Sequence, residues 1–150
     1  MASDPDSVFA AFRQAVQNSV GVRLFTVSVL DKAARLARRA YTSHPAEYPV
    51  TGTKPMVEDG WSRQVIEAGR TFVANSTAEF APYFGDHALI NALGCHSAVN
   101  MPVTDGGEVV GTVNLLDGEG HFTPARLERL QALLAAHREE LVAAIRTVKL

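Results

Sequence analysis

The residues able to do chemistry are few and scattered. Cys95, the single cysteine, is followed directly by His96, and an imidazole beside a thiol favours the thiolate, the form that attacks electrophiles. Neighbouring side chains on a strand point to opposite faces, however, and no nearby acid would orient the imidazole. A small, half-buried residue at a strand start accounts for Cys95 without any reaction. One cysteine allows no internal disulfide and no multi-cysteine zinc site. The histidines, His44, His87, His96, His121 and His137, show neither i, i+4 spacing nor carboxylates placed to join them as metal ligands. No metal and no cofactor is expected, and no catalytic residue is assigned.

The binding chemistry is better represented. Asn100 and Asn114 interrupt apolar runs with amides, which donate and accept at once. They serve either a polar ligand or the backbone, because a buried amide without partners costs about 1–3 kcal/mol. Tyr41, Ser43, Phe80, Tyr83 and Phe84 supply aromatic walls with polar anchors, or simply core. His87 opens a helix that also carries Ile90, and either caps it with Asp86 or meets a ligand. The one dense basic run, Arg35 to Arg39, reads as the solvated edge of a sheet rather than a phosphate site.

Composition narrows the class. The 150 residues fit one domain over 1–150. A hydrophobic fraction of 47% with 20% charged residues is that of a folded globular chain. A formal charge of −2 argues against a nucleic-acid partner, because no excess of cations is available for phosphates. No apolar run approaches the roughly 20 residues that cross a bilayer, and the first residues lack the apolar stretch of a secretory leader. A cytoplasmic location without membrane contact is expected.

The elements that must position these residues follow from periodicity and punctuation. Asp4-Pro5 starts a helix over 5–19 with Val8, Phe9, Phe12 and Val16 on one stripe. Residues 22–30 and 34–42 read as strands. The three prolines in 43–56 exclude regular structure, and so long a loop tends to be functional. A short helix carries Trp61, Val65 and Ile66 and stops at Gly69. Residues 71–74 form a brief strand, Asn75-Ser76-Thr77 caps a short segment with Phe80 and Phe84, and 86–93 is a helix. Residues 97–103 and 108–116 flank Thr104-Asp-Gly-Gly107, a hairpin turn. Thr123-Pro124 opens a long last helix with leucines at Leu127, Leu130, Leu134 and Leu141 on one side.

The order of these segments resembles that of the GAF domain family over nearly the whole chain. The resemblance is carried by 39–45 with 48–55, by Phe72-Val-Ala-Asn75, by Asp86 to Gly94, and above all by the hairpin through Pro102, Gly111 and Asn114-Leu-Leu116. It implies an α/β fold of the α+β kind. Five to six antiparallel strands would carry the N- and C-terminal helices on one face. Short helices and loops would close a ligand cavity on the other, where Tyr41, Ser43, Asn75, Phe80, Phe84, His87, Ile90, Asn100 and Asn114 are the candidate binding residues. The resemblance further implies a non-catalytic, small-molecule-binding sensory module, paired as a homodimer through its terminal helices.

The markers of particular GAF subfamilies are missing. Asn75-Ser76 and Asp86-His87 depart from the cyclic-nucleotide signature, and no cysteine precedes His87 as bilin attachment requires. Free methionine sulfoxide reductases, the thiol enzymes of this fold, use more than one cysteine, so Cys95 alone leaves their cycle open. The other alternative is a dimerisation or partner-binding domain whose pocket is vestigial.

Overall fold

The computed structural model describes residues 4–148. The start of the chain, where the absence of a leader is read, lies partly outside the described residues. Helix α1 (Pro5–Ser19) leads into β1 (Leu24–Asp31), β2 (Leu36–Thr42) and a two-residue β3 (Lys54–Pro55). A short α2 (Gly60–Ser62) passes directly into a π-helical turn over Arg63–Glu67. Then come β4 (Phe72–Ala74), α3 (Thr77–Phe80), α4 (His87–Ala92), the hairpin strands β5 (Ser97–Asp105) and β6 (Glu108–Asp117), and α5 (Pro124–Thr147). The six strands form one antiparallel sheet in the order β3-β2-β1-β6-β5-β4.

Both terminal helices lie on one face. Phe9, Phe12 and Val16 of α1 and Leu130, Leu141 and Ile145 of α5 pack against Phe25, Val27, Met101, Val113 and Leu115 of the sheet. Each fully buried phenylalanine there is worth about 1.5–3 kcal/mol of transfer free energy. The leucine stripe of α5 is used on its own sheet, and neither α1 nor α5 exposes a large hydrophobic side chain among the described residues. The opposite face carries a second, smaller core in which Leu24, Ala98 and Leu116 meet Tyr48, Val65, Phe72, Phe80, Ile90 and Cys95.

The sequence signals for these elements hold where they are local. Thr123 accepts a hydrogen bond from the Arg126 N–H and caps α5 with Pro124 behind it. Asp4 and Asp86 occupy N-cap positions, but neither carboxylate caps its helix. The hairpin turn is tighter than the four residues expected, because the strands pair as far as Asp105 and Glu108. Gly106 and Gly107 alone make the turn, with φ of 60° and 85°, the left-handed pair that a two-residue loop needs. Pro102 is tolerated in β5 because β4 pairs only with residues 98–100 and ends short of it. The loop 43–56 is less irregular than expected: Lys54 and Pro55 pair with Ala37 and Leu36 of β2.

Candidate functional site

The face of the sheet opposite the terminal helices holds a cavity of about 320 Å³. Strand alternation decides its floor, since every second residue of each strand faces it. Cross-strand pairing lines those residues up in rows: Arg39 beside Ser28 beside Thr112, then Thr26 beside Asn114 beside Asn100. Apolar rows bound this polar belt, Leu30 with Ala37 on one side and Leu24 with Leu116 on the other. Trp61 of α2, Ile66 of the π turn, Ile90 of α4, and Tyr83 and Phe84 from the segment between α3 and α4 form the walls. Met56 and Val57 come from the loop after β3, and Val57 stands 72% exposed at the edge of the site.

The belt is joined by hydrogen bonds. The Trp61 indole N–H donates to Asn100 Oδ1 at 2.9 Å, and Asn100 Nδ2 donates to Asn114 Oδ1 at 2.8 Å. Asn114 Nδ2 then donates to Thr26 Oγ1 at 3.2 Å and Ser28 Oγ at 3.3 Å. Both asparagines are buried, and each uses both its carbonyl oxygen and its amide nitrogen. The two functions left open for these amides are thus combined: they bond each other across the strands while they line the cavity.

Tyr48 closes one side. Its hydroxyl donates to Asp86 Oδ2, tying the proline-rich loop to the start of α4. Burial, the hydrogen bond to Asp86 and the charge of Asp86 all push the Tyr48 pKa upward, against a smaller opposing pull from Arg39. The Arg39 guanidinium lies 4.7 Å from the Tyr48 ring centroid and donates to the Pro49 carbonyl at 3.1 Å. No carboxylate pairs with Arg39, and no cation pairs with Asp59 or Asp86, among the described residues.

Four of the nine candidate residues come together here: Phe84, Ile90, Asn100 and Asn114. The other five lie elsewhere. Tyr41 faces the terminal helices, with its ring 6.0 Å from Phe9 and 5.8 Å from Phe25. Ser43 accepts from the Phe25 N–H and bonds His44 Nδ1. Asn75 holds the loop before α5 through both the N–H and the carbonyl of Phe122. Phe80 is fully buried in the smaller core, and His87 is half-buried outside the cavity lining.

Arg39, Trp61, Tyr48 and Asp86, with the hydroxyls of Thr26, Ser28 and Thr112, are among the lining residues that the sequence did not point to. The basic run is not a uniform solvated edge. Arg35 sits in the turn before β2 with φ of 55° and pairs with Glu58, Arg38 donates to the Thr51 carbonyl, and only Arg39 enters the cavity.

Cys95 is buried among Ile90, Ala98 and Leu116. Burial first, then the negative charge of Asp117, push its thiol up to about 11, against a smaller opposing effect of Arg23. It therefore stays protonated at neutral pH, which is unsuited to nucleophilic attack. His96 turns away to Thr77 Oγ1 and Asn91 Nδ2. No group of three metal-ligating side chains exists among the described residues, and no described helix is long and apolar enough to cross a membrane.

Solved structures share this architecture at low sequence identity. A GAF domain/HD domain protein from Geobacter sulfurreducens superposes with a TM-score of 0.76 at 10% identity, covering 99% of each chain. The GAF domain of a two-component sensor histidine kinase from Bacillus halodurans matches with a TM-score of 0.73 at 13% identity, over 94% of this chain and 93% of that one. The GAF domain of a phosphoenolpyruvate-protein phosphotransferase from Coxiella burnetii gives 0.70 at 16% identity, over 97% and 86%. No curated protein matches the sequence. The family model for the GAF domain matches residues 2–136, and with the sheet order and helix placement above, the chain belongs to the GAF domain family.

Proposed function

We propose that this protein is a non-catalytic sensory module that binds a small molecule on the sheet face opposite its terminal helices. The observation that carries this is the cavity of about 320 Å³, within the size range of small-molecule sites, mostly apolar with a few convergent polar groups. Fold alone would not support it, since one fold hosts many functions. What supports it is the placement of buried amides, hydroxyls and an arginine without a carboxylate partner on the floor of that cavity. The GAF domain of a sensor histidine kinase among the similar structures is consistent with a signalling role. Nothing in the surroundings of Cys95 favours the thiol-enzyme alternative.

Native mass spectrometry of the protein purified from its own host, beside the Ser28→Trp variant, tests this. A small non-covalent mass on the wild type, lost on denaturation and missing from the variant, is the expected result. A thermal-shift screen of common metabolites accompanies it, because a ligand at about 100 times its Kd adds about 2.7 kcal/mol to stability. No bound mass, together with no metabolite that raises the melting temperature of the wild type above that of the variant, would overturn the reading and leave a partner-binding domain with a vestigial pocket.

A further inference from the structure

The hydrogen-bond chain across the cavity floor has a direction. An indole N–H can only donate, so Trp61 fixes Asn100 Oδ1 as an acceptor. Asn100 must then present its amide N–H to Asn114 Oδ1, and Asn114 its own to the hydroxyls of Thr26 and Ser28. Both hydroxyls thus receive a hydrogen bond, and neither donates to a side chain or backbone acceptor among the described residues. Thr112, 1% exposed and next to Ser28 in the register, also gives its hydroxyl to no protein partner among them. Ser28 pairs with Arg39 and Thr112 with Ser28, with Thr26 in the next row, and Arg39 lines the same cavity without a carboxylate partner among the described residues.

Donors without acceptors converging next to a cation form a site for negative charge. The size of that charge is limited by the rest of the lining, where the two carboxylates of Asp59 and Asp86 outnumber Arg39. Asp59 caps α2 through the Ser62 N–H and Asp86 accepts from the Tyr48 hydroxyl, so both of those charges already have protein donors, and Arg39 is left to offset one further negative charge, that of a carboxylate, rather than the two of a phosphoryl dianion. The apolar rows of Leu24 with Leu116 and Leu30 with Ala37 provide for a hydrocarbon body. We infer that the ligand class of this cavity is a small monocarboxylate with an apolar body, its carboxylate held by Arg39 and the hydroxyls of Ser28 and Thr112. This rests on the cavity being a ligand site, as proposed above.

Ligand-observed NMR titration of the whole chain tests it, using isovalerate, phenylacetate and hydrocinnamate, each against its primary amide, together with phenyl phosphate. The carboxylates should bind about tenfold or more tighter than their amides, as a charge-assisted hydrogen bond implies. Arg39→Met should remove that preference. Thr112→Val, of nearly equal volume, should weaken the carboxylates about three- to tenfold and leave the amides unchanged. It also serves as the test if loss of the Arg39 contacts to Tyr48 and Pro49 unfolds the first variant. Amides binding as well as carboxylates, with Ser28→Trp abolishing both, would overturn the carboxylate assignment and leave the cavity reading standing. So would phenyl phosphate binding as tightly as the carboxylates, or a carboxylate preference that survives both Arg39→Met and Thr112→Val. If no probe binds and the mass and thermal-shift measurements above are also negative, the cavity reading falls and takes the assignment with it.

Discussion

Ile145 of α5 seats on β6 at Gly111, where an added Cβ would lie 3.0 Å from Ile145 Cδ1 and 2.5 Å from the Ser28 carbonyl oxygen. The first contact could relax by a change of rotamer. The second is to backbone and could relax only by parting β1 from β6, the central pair of the sheet. Gly111→Ala should therefore destabilise the fold by about 1–3 kcal/mol, the cost of overpacking a core. A lowered urea midpoint with an unchanged slope is expected, and a midpoint equal to wild type would contradict it.

Trp61→Phe keeps an aromatic wall on the cavity and deletes the donor at the head of the amide chain. Asn100, 5% exposed, then has a buried carbonyl oxygen without its partner, at a cost of about 1–3 kcal/mol. Equilibrium denaturation measures this, and a variant as stable as wild type would show that the chain is dispensable.

The protein should lose stability in alkali. Folding raises the Cys95 thiol from 9.0 to about 11, so between those pH values the unfolded chain has lost a proton that the folded chain keeps. Stability is full below the lower value and falls as pH rises through the window. Tyr48, also raised by burial and by Asp86, extends the loss above pH 10.0, its ordinary value. Denaturation curves taken from neutral pH upward should show this decline, and Cys95→Ala should flatten its first part. A flat profile in wild type would refute it.

A thiol so placed should react only through opening of the structure. Iodoacetamide at neutral pH should modify Cys95 at least about 100-fold more slowly in the native protein than in urea. Comparable rates under both conditions would mean that the smaller core is open to solvent.

The Tyr48 hydroxyl on Asp86 is the tie between the proline-rich loop and α4. Tyr48→Phe should leave the sheet intact and loosen the loop, so brief treatment with a glutamyl endopeptidase should cut within 43–56 sooner than in wild type. Glu47, exposed next to Tyr48, is the cleavage site there. Identical digestion patterns would mean that β3 and the arginine bonds to Pro49 and Thr51 hold the segment without the hydroxyl.

Most of the frame was legible because its signals are local. Thr123-Pro124 and Gly106-Gly107 each impose a backbone conformation within a few residues, whatever the rest of the chain does. The assignment to the GAF domain family, first suggested by motif order, is likewise upheld. The cavity was less legible, and β2 shows why. Simple alternation places Arg39 and Tyr41 on one face, which puts the tyrosine in the cavity. A β-bulge intervenes: Tyr41 pairs with Val27 but Arg39 with Ser28, leaving Ala40 as the extra residue. The bulge sends Tyr41 to the helices and Arg39 to the cavity, and no residue in 36–42 announces it. Trp61, Tyr48 and Asp86 were hidden for a different reason. They reach the site from loops and short helices whose course depends on tertiary contacts across 38 or 39 positions of sequence.

Strand β6 is buried on both of its sides, and its residues alternate between two rooms. Thr112, Asn114 and Leu116 furnish the cavity; Val113 and Leu115, in between, are part of the bedding beneath α1 and α5. The wall between the rooms is one strand thick, like the diaphragm of a pressure gauge. If a ligand binds as proposed, a pull on Asn114 from the cavity side would also tilt Val113 and Leu115, its neighbours on the same strand, with no hinge and no moving lid to carry it. On the proposed sensory function, a reader of this domain would have only to feel how its terminal helices lie.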